Sequence, residues 1–181
     1  MSIAVGLVHN RRMTEPRGAA APVDDTAATR MWADYESARP ALADACPEYT
    51  VEHFGDSAEL ADELLDLVLS CGKRATAELV SEFAARGDSL PRIGSHWIAC
   101  DGAGVPRIVI RTTELRIGDF TTADAAFAFD EAEGDRSLET WAEGHRRYWQ
   151  RTCAARGAVW SESDEIVFER FHVVWPPELA D

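Results

Sequence analysis

The chain has 181 residues, 46% of them hydrophobic and 28% charged, which suits one soluble domain with a core of useful size. No apolar run approaches the ~20 residues of a membrane span, and the short apolar start, Ser2 to Val8, has no basic segment before it and makes a poor signal peptide. The formal net charge of −14 repels polyanions at long range, so broad binding to duplex nucleic acid is disfavoured and a small ligand or a short single strand in a local pocket is not.

In chain order, residues 1 to 29 have no apolar period and carry Pro16, Gly18, Pro22 and Asp24-Asp25, the composition of a disordered tail. From Met31 a short helical segment places Trp32 and Tyr35 three apart, and Pro40 helps to end it. Asp56-Ser57-Ala58-Glu59 resembles a capping box. Leu60, Leu64, Leu67 and Val68 then form one stripe of an amphipathic helix that Gly72 stops. A second helix is expected over 77–85, which would put Lys73 and Thr76 in a tight link between helices. Strands follow at 96–100 and 107–113, joined through Asp101-Gly102-Ala103-Gly104. A short helix at 122–130, a longer one at 137–155 and a closing strand at 165–175 with apolar residues on both faces complete the series. Helices, then strands with helices between them, make an α+β fold or a barrel with helical insertions.

Cys46, Cys71, Cys100 and Cys153 are scattered, with no CxxC pair, and read as reduced thiols of a cytoplasmic protein; the histidines show no zinc spacing. Of the 18 basic residues one, Lys73, is lysine and the remaining 17 are arginine. Arginine does not give up its proton at working pH, whereas a buried lysine can. Gly72-Lys73-Arg74-Ala75-Thr76 fails as a phosphate-binding loop: Leu67 stands where the first glycine belongs, Arg74 where the hydroxyl belongs, and a helix precedes it.

Read with its surroundings, the segment resembles the ASCH family. The likeness runs from about residue 31 to the end. It takes in Trp32-x-x-Tyr35, Phe54-Gly55-Asp56, Gly72-Lys73-x-Ala75-Thr76, Pro91-x-x-Gly94, Asp101-Gly102, Thr112-Thr113-x-Leu115, Glu133-Gly134-Asp135-x-Ser137-Leu138-x-x-Trp141-x-x-x-His145 and Glu169-Arg170-Phe171. The resemblance implies a PUA-like β-barrel with flanking helices over residues 30–181, and a cleft between barrel and helices for a nucleobase-like ligand. It implies action on RNA or its nucleosides, as an amidohydrolase of cytidine acylated on its exocyclic amine or as a ribonuclease. In the amidohydrolase type a lysine and threonine in KxxT and a later glutamate form the catalytic set, which match Lys73, Thr76 and Glu133; Glu131 is the residue most easily confused with the last.

The residues make chemical sense of that set. A threonine hydroxyl needs a base to take its proton, and a lysine whose pKa is lowered by burial is one candidate. Thr76 could equally cap a helix, and Trp141 with His145, one turn apart, could simply fill the core. Trp32, Arg74, Asp135, Trp141 and His145 are the candidate substrate-binding residues, with an aromatic available to stack on a base. Alternating Glu131, Glu133 and Asp135 are weak candidates for a hard-cation site in a metal-assisted nuclease; no cofactor is otherwise implied. The expected partner is a modified nucleoside or a short single-stranded RNA, with neither duplex DNA nor membrane, and a pure RNA-binding or ligand-sensing module is the non-enzymatic alternative.

Overall fold

The computed structural model describes residues 18–70 and 72–181. Helices α1 (Asp25–Ala38) and α2 (Pro40–Ala45) precede strand β1 (Tyr49–His53), helix α3 (Ala58–Leu69), strand β2 (Ala75–Leu79) and helix α4 (Val80–Arg86). Strands β3 (His96–Cys100) and β4 (Pro106–Gly118), a 3-10 turn at Phe120–Thr122, helices α5 (Ala125–Glu131) and α6 (Leu138–Ala155) and strand β5 (Ile166–Trp175) follow. The strands form one curled sheet, a half-barrel, in the order β1-β3-β4-β5-β2, with β1 parallel to β3 and the other pairs antiparallel. This is the expected α+β, PUA-like architecture. Among the described residues no helix is long and apolar enough to cross a membrane.

Three apolar clusters hold helices to the sheet. Helix α3 packs Leu64, Leu65 and Val68 on Ala99, Ile108, Ile110 and Phe171. Helix α6 sets Trp141, Trp149 and Cys153 against Leu79, Ile166 and Phe168. Helix α1 lays Ala28, Trp32 and Tyr35 on Ile98 and Val109. Residues of β5 alternate between the clusters, Phe168 toward α6 and Phe171 toward α3, the double coverage that its apolar composition requires. A polar tie fixes α1. The ring Nδ1 of His96 donates to the Cys46 carbonyl at 3.0 Å, which leaves Nε2 to accept from the Tyr35 hydroxyl at 3.0 Å. Burial pushes His96 down to about 4, so the ring is neutral as this arrangement needs.

Several expectations are corrected. The segment 77–85 is not one helix: Ala75 to Leu79 pairs with β5 and only Val80–Arg86 is helical. Alanine, glutamate and leucine favour helix in isolation, but here they alternate. Ala75 and Leu79 enter the core, while Thr76 and Glu78 face the opposite side. Strand pairing outweighs a propensity of a few tenths of a kcal/mol per residue, roughly. The cap of α3 is Ser57, whose Oγ accepts from Leu60 N at 3.3 Å, rather than Asp56. Pro40 opens α2 at its first turn, where a missing N–H costs nothing. Strand β1 was not foreseen.

The boundary at residue 30 also moves. Residues 1–17 of the expected tail lie outside the described residues. Residues 18–29 pack on the domain: Ala21 and Asp24 donate their amides to Gly102 and Gly104 carbonyls at 3.0 and 2.9 Å, and Ala28 is buried. The Asp24 carboxylate caps α1 by accepting from Ala27 N at 2.9 Å. Asp24→Ala is therefore expected to cost about 1 kcal/mol and lower the melting temperature by about 2–4 °C. An unchanged melting curve in thermal denaturation would show that this segment does not hold the helix.

Candidate functional site

The Gly72-Lys73-Arg74 link leaves the end of α3 and enters β2. Gly72 and Lys73 both donate their amides to the Leu67 carbonyl at 3.0 Å, and Arg74 donates to Asp130 O at 2.7 Å. A Cβ on residue 72 would meet Arg136 Nη2 at 2.8 Å and Leu67 O at 3.3 Å, so a side chain here would displace the Arg136 guanidinium and press on the Leu67 carbonyl. The link drives the Lys73 side chain inward, where it is 1% exposed.

Its partners come from the end of α5 and the turn that follows it. Ala132, Gly134 and Arg136 are all left-handed, with φ of 60, 57 and 64°. Non-glycine residues there cost about 1–2 kcal/mol each, and the coiled turn aims Glu131 and Glu133 at one point. Lys73 Nζ donates to Glu133 Oε1 at 2.8 Å and lies 3.5 Å from Glu131 Oε1. Glu131 is fully enclosed, while Glu133 is 33% exposed and opens onto a cleft. Behind them Trp141 Nε1 donates to Glu131 Oε2, and His145 Nε2 stands 3.4 Å from the same oxygen. His145 Nδ1 donates to the Trp141 carbonyl at 3.0 Å, and the two rings stack at 4.2 Å.

The electrostatics depart from expectation. Burial alone pushes the Lys73 ammonium down, but Glu133 and Glu131 outweigh it and its pKa is raised. The lysine is charged at rest, not neutral. Burial pushes Glu131 up against the pull of Lys73 and His145. Glu133 is lowered: burial pushes it up, but Lys73 and His145 more than offset that. At rest Glu133 is therefore the ionised carboxylate and Lys73 the protonated ammonium.

The cleft occupies ≈ 1280 Å³ between the half-barrel and α6. Thr76, Glu133 and His145 line it. The other expected binding residues do other work. Trp32 stacks on Tyr49 at 4.5 Å within the α1 cluster. Arg74 forms a two-pronged ion pair with Asp181, with Nη2 at 2.6 Å. Trp141 is buried behind Glu131. Asp135 is exposed and accepts from Ser137 N at 2.9 Å. Glu131 and Glu133 thus meet at Lys73 without Asp135, and among the described residues no group of three ligand-type side chains is placed to hold a metal. Cys71 lies outside the described residues. Sequence reasoning missed Glu169 and Thr112, which share the cleft with Thr76. The signal was a glutamate placed between the core phenylalanines Phe168 and Phe171 of the closing strand.

Removing the cation should show how the cluster is balanced. Lys73→Met would leave two carboxylates facing each other without compensation, at a cost of roughly 3–5 kcal/mol at pH 7. Because Glu133 is held below its ordinary value, the wild-type advantage is present above that value and lost as pH falls through the lowered one. Denaturant unfolding at pH 7 and pH 4 should show the gap between the proteins shrinking with acid; a constant gap would contradict the charge assignment.

The comparisons agree with this fold. A sequence model described as the ASCH domain matches residues 50–175. The fold is similar to the crystal structure of an ASCH domain from Lactobacillus crispatus JV V101, with 25% identity and a TM-score of 0.76, covering 85% of this chain and 97% of that one. It is also similar to protein EF3133 from Enterococcus faecalis V583, at 25% identity and a TM-score of 0.72, covering 83% and 89%. No curated protein matches the sequence significantly. The chain belongs to the ASCH domain family, with the PUA-like RNA-binding fold of that family.

Proposed function

We propose that this ASCH domain is an amidohydrolase that removes the acyl group from the exocyclic amine of a cytidine-type nucleoside. The observation that carries the reading is the buried ammonium of Lys73 clamped 2.8 Å from a glutamate that opens onto the same cleft as Thr76. Glu133 takes the proton of the Thr76 hydroxyl as its oxygen bonds to the amide carbon. Lys73 gives a proton to the departing cytosine nitrogen as the carbon–nitrogen bond breaks, leaving an acyl-threonine. Water then hydrolyses the ester, its protons passing back through the same pair, and the site returns to its starting charge. Glu131 keeps the lysine charged between turnovers.

The surroundings favour a neutral substrate. Arg86, Arg92 and Arg151 line the cleft, but Glu78, Glu48 and Asp56 respectively pair with them. A second reading, a ribonuclease of short single strands, draws on two features. The cleft is larger than the roughly 300–1,000 Å³ usual for one small ligand, and Arg147 on its wall has no ion pair among the described residues.

Lys73→Arg separates a proton-transferring lysine from a merely cationic one. Guanidinium keeps the charge and does not surrender its proton, so turnover of N4-acetylcytidine is expected to fall about 100-fold or more in a variant that still melts cooperatively. Full activity would rule out proton transfer by Lys73. Assays on short unstructured RNA at rising salt complete the test, since a phosphate-reading site weakens steeply with salt. Salt-sensitive cleavage of RNA without deacylation would establish the second reading.

A further inference from the structure

The motif Glu169-Arg170-Phe171 is only partly accounted for by the fold. Phe171 packs in the α3 cluster, and Arg170 pairs with Asp130 and Glu114 at 2.8 Å each. Glu169 is different. It is 9% exposed, lines the cleft, and makes one bond, accepting from Thr112 Oγ1 at 2.5 Å through Oε1. Its Oε2 has no partner among the described residues. That oxygen is not sealed in the core but faces the cleft, where a ligand can reach it.

Its position explains what that oxygen is available for. Glu169 is the register partner of Thr76 across the β2–β5 pair, and directly opposed side chains stand on one face about 4.5–5.5 Å apart at Cβ. The β4–β5 register slips between Thr112 and Glu114. Such bulges re-aim side chains beside functional sites, and here Thr112 reaches Glu169. The proposed nucleophile therefore has beside it a carboxyl group held from behind, with one oxygen open.

We propose that Glu169 is the specificity residue of the cleft, reading a nucleobase edge that sets a ring-nitrogen acceptor beside an exocyclic N–H donor, the edge of cytosine. This rests on the reading that the cleft takes a nucleobase. The group works as a neutral acid: Oε2–H donates to the ring nitrogen, while Oε1, already accepting from Thr112, also accepts the exocyclic N–H. The same contact would set the acylated amine beside Thr76. The surroundings favour the neutral form. Burial pushes Glu169 up to about 7, with Glu52 of β1 adding to the rise and Thr112 only partly opposing it. Glu78 of β2 lines the same face, and Arg86 of α4 is held by Glu78 and Asp88. From α6 the cleft receives His145, which is turned to Glu131, Tyr148, the unpaired Arg147, and Arg151, which is paired with Asp56.

The test compares wild type with Glu169→Gln and Glu169→Ala, all checked for cooperative melting, by calorimetric binding of cytidine from pH 5.5 to 8.5. Wild type should bind best below about 7 and lose about tenfold in affinity per pH unit above it, as the donor proton leaves. The glutamine variant keeps a donor and an acceptor. It should bind like wild type at pH 6 and stay flat with pH, whereas alanine should lose about tenfold or more at pH 6. Wild-type binding that ignores pH, a glutamine variant as weak as alanine, or a pH slope that survives in the glutamine variant and so belongs to Glu52 or Glu78, would each overturn the assignment while leaving the nucleobase reading intact. Failure of wild type to bind cytidine at any pH would overturn both.

Discussion

A single ammonium out of contact with water is the constraint around which this domain is built. Lys73 at 1% exposure would give up its charge or unfold the chain unless anions met it inside. Three separate elements answer that demand. The last turn of α3 supplies the Leu67 carbonyl that fixes the backbone of Lys73, the end of α5 and the turn after it supply Glu131 and Glu133, and α6 supplies the Trp141 and His145 side chains that hold Glu131. The left-handed residues of the 131–136 turn are stabilised by the charge they bring together. A feature that is costly locally is kept where the surrounding structure over-determines it.

The same cluster divides chemical labour. A lone buried lysine would be a base with a depressed pKa; a lysine between two glutamates is an acid with a raised one. Burial and ion pairing act in opposite directions on Lys73, and pairing wins because the nearer glutamate lies at hydrogen-bond distance. In the proposed reaction the proton-accepting role falls to Glu133, which alone of the two glutamates reaches solvent. Around this pair the cleft holds further carboxyl groups on β1, β2 and β5, while most of its arginines are neutralised in place. A net charge of −14 sets the whole surface against polyanionic partners at long range.

What the sequence by itself determined follows from spacing and chemical type. Strand β5 was legible because no half-exposed strand carries apolar residues on both faces, α3 and α6 because their apolar stripes are long, and Lys73 because it is the only lysine beside 17 arginines. The α+β half-barrel and the pairing of Lys73 with Glu133, 60 positions apart, followed from the family resemblance carried by the ordered motifs. Tertiary structure decided the rest. Ala75-Thr76-Ala77-Glu78-Leu79 has the local composition of a helix and became an edge strand because β5 offered it hydrogen bonds and a core to fill. Trp32, Arg74 and Trp141 have residue types that suit ligand binding, yet each found a protein partner first. The charge state of Lys73 and the open oxygen of Glu169 lay beyond any reading of the chain, because a pKa is set by the distances and burial of groups remote in sequence, and those exist only after folding.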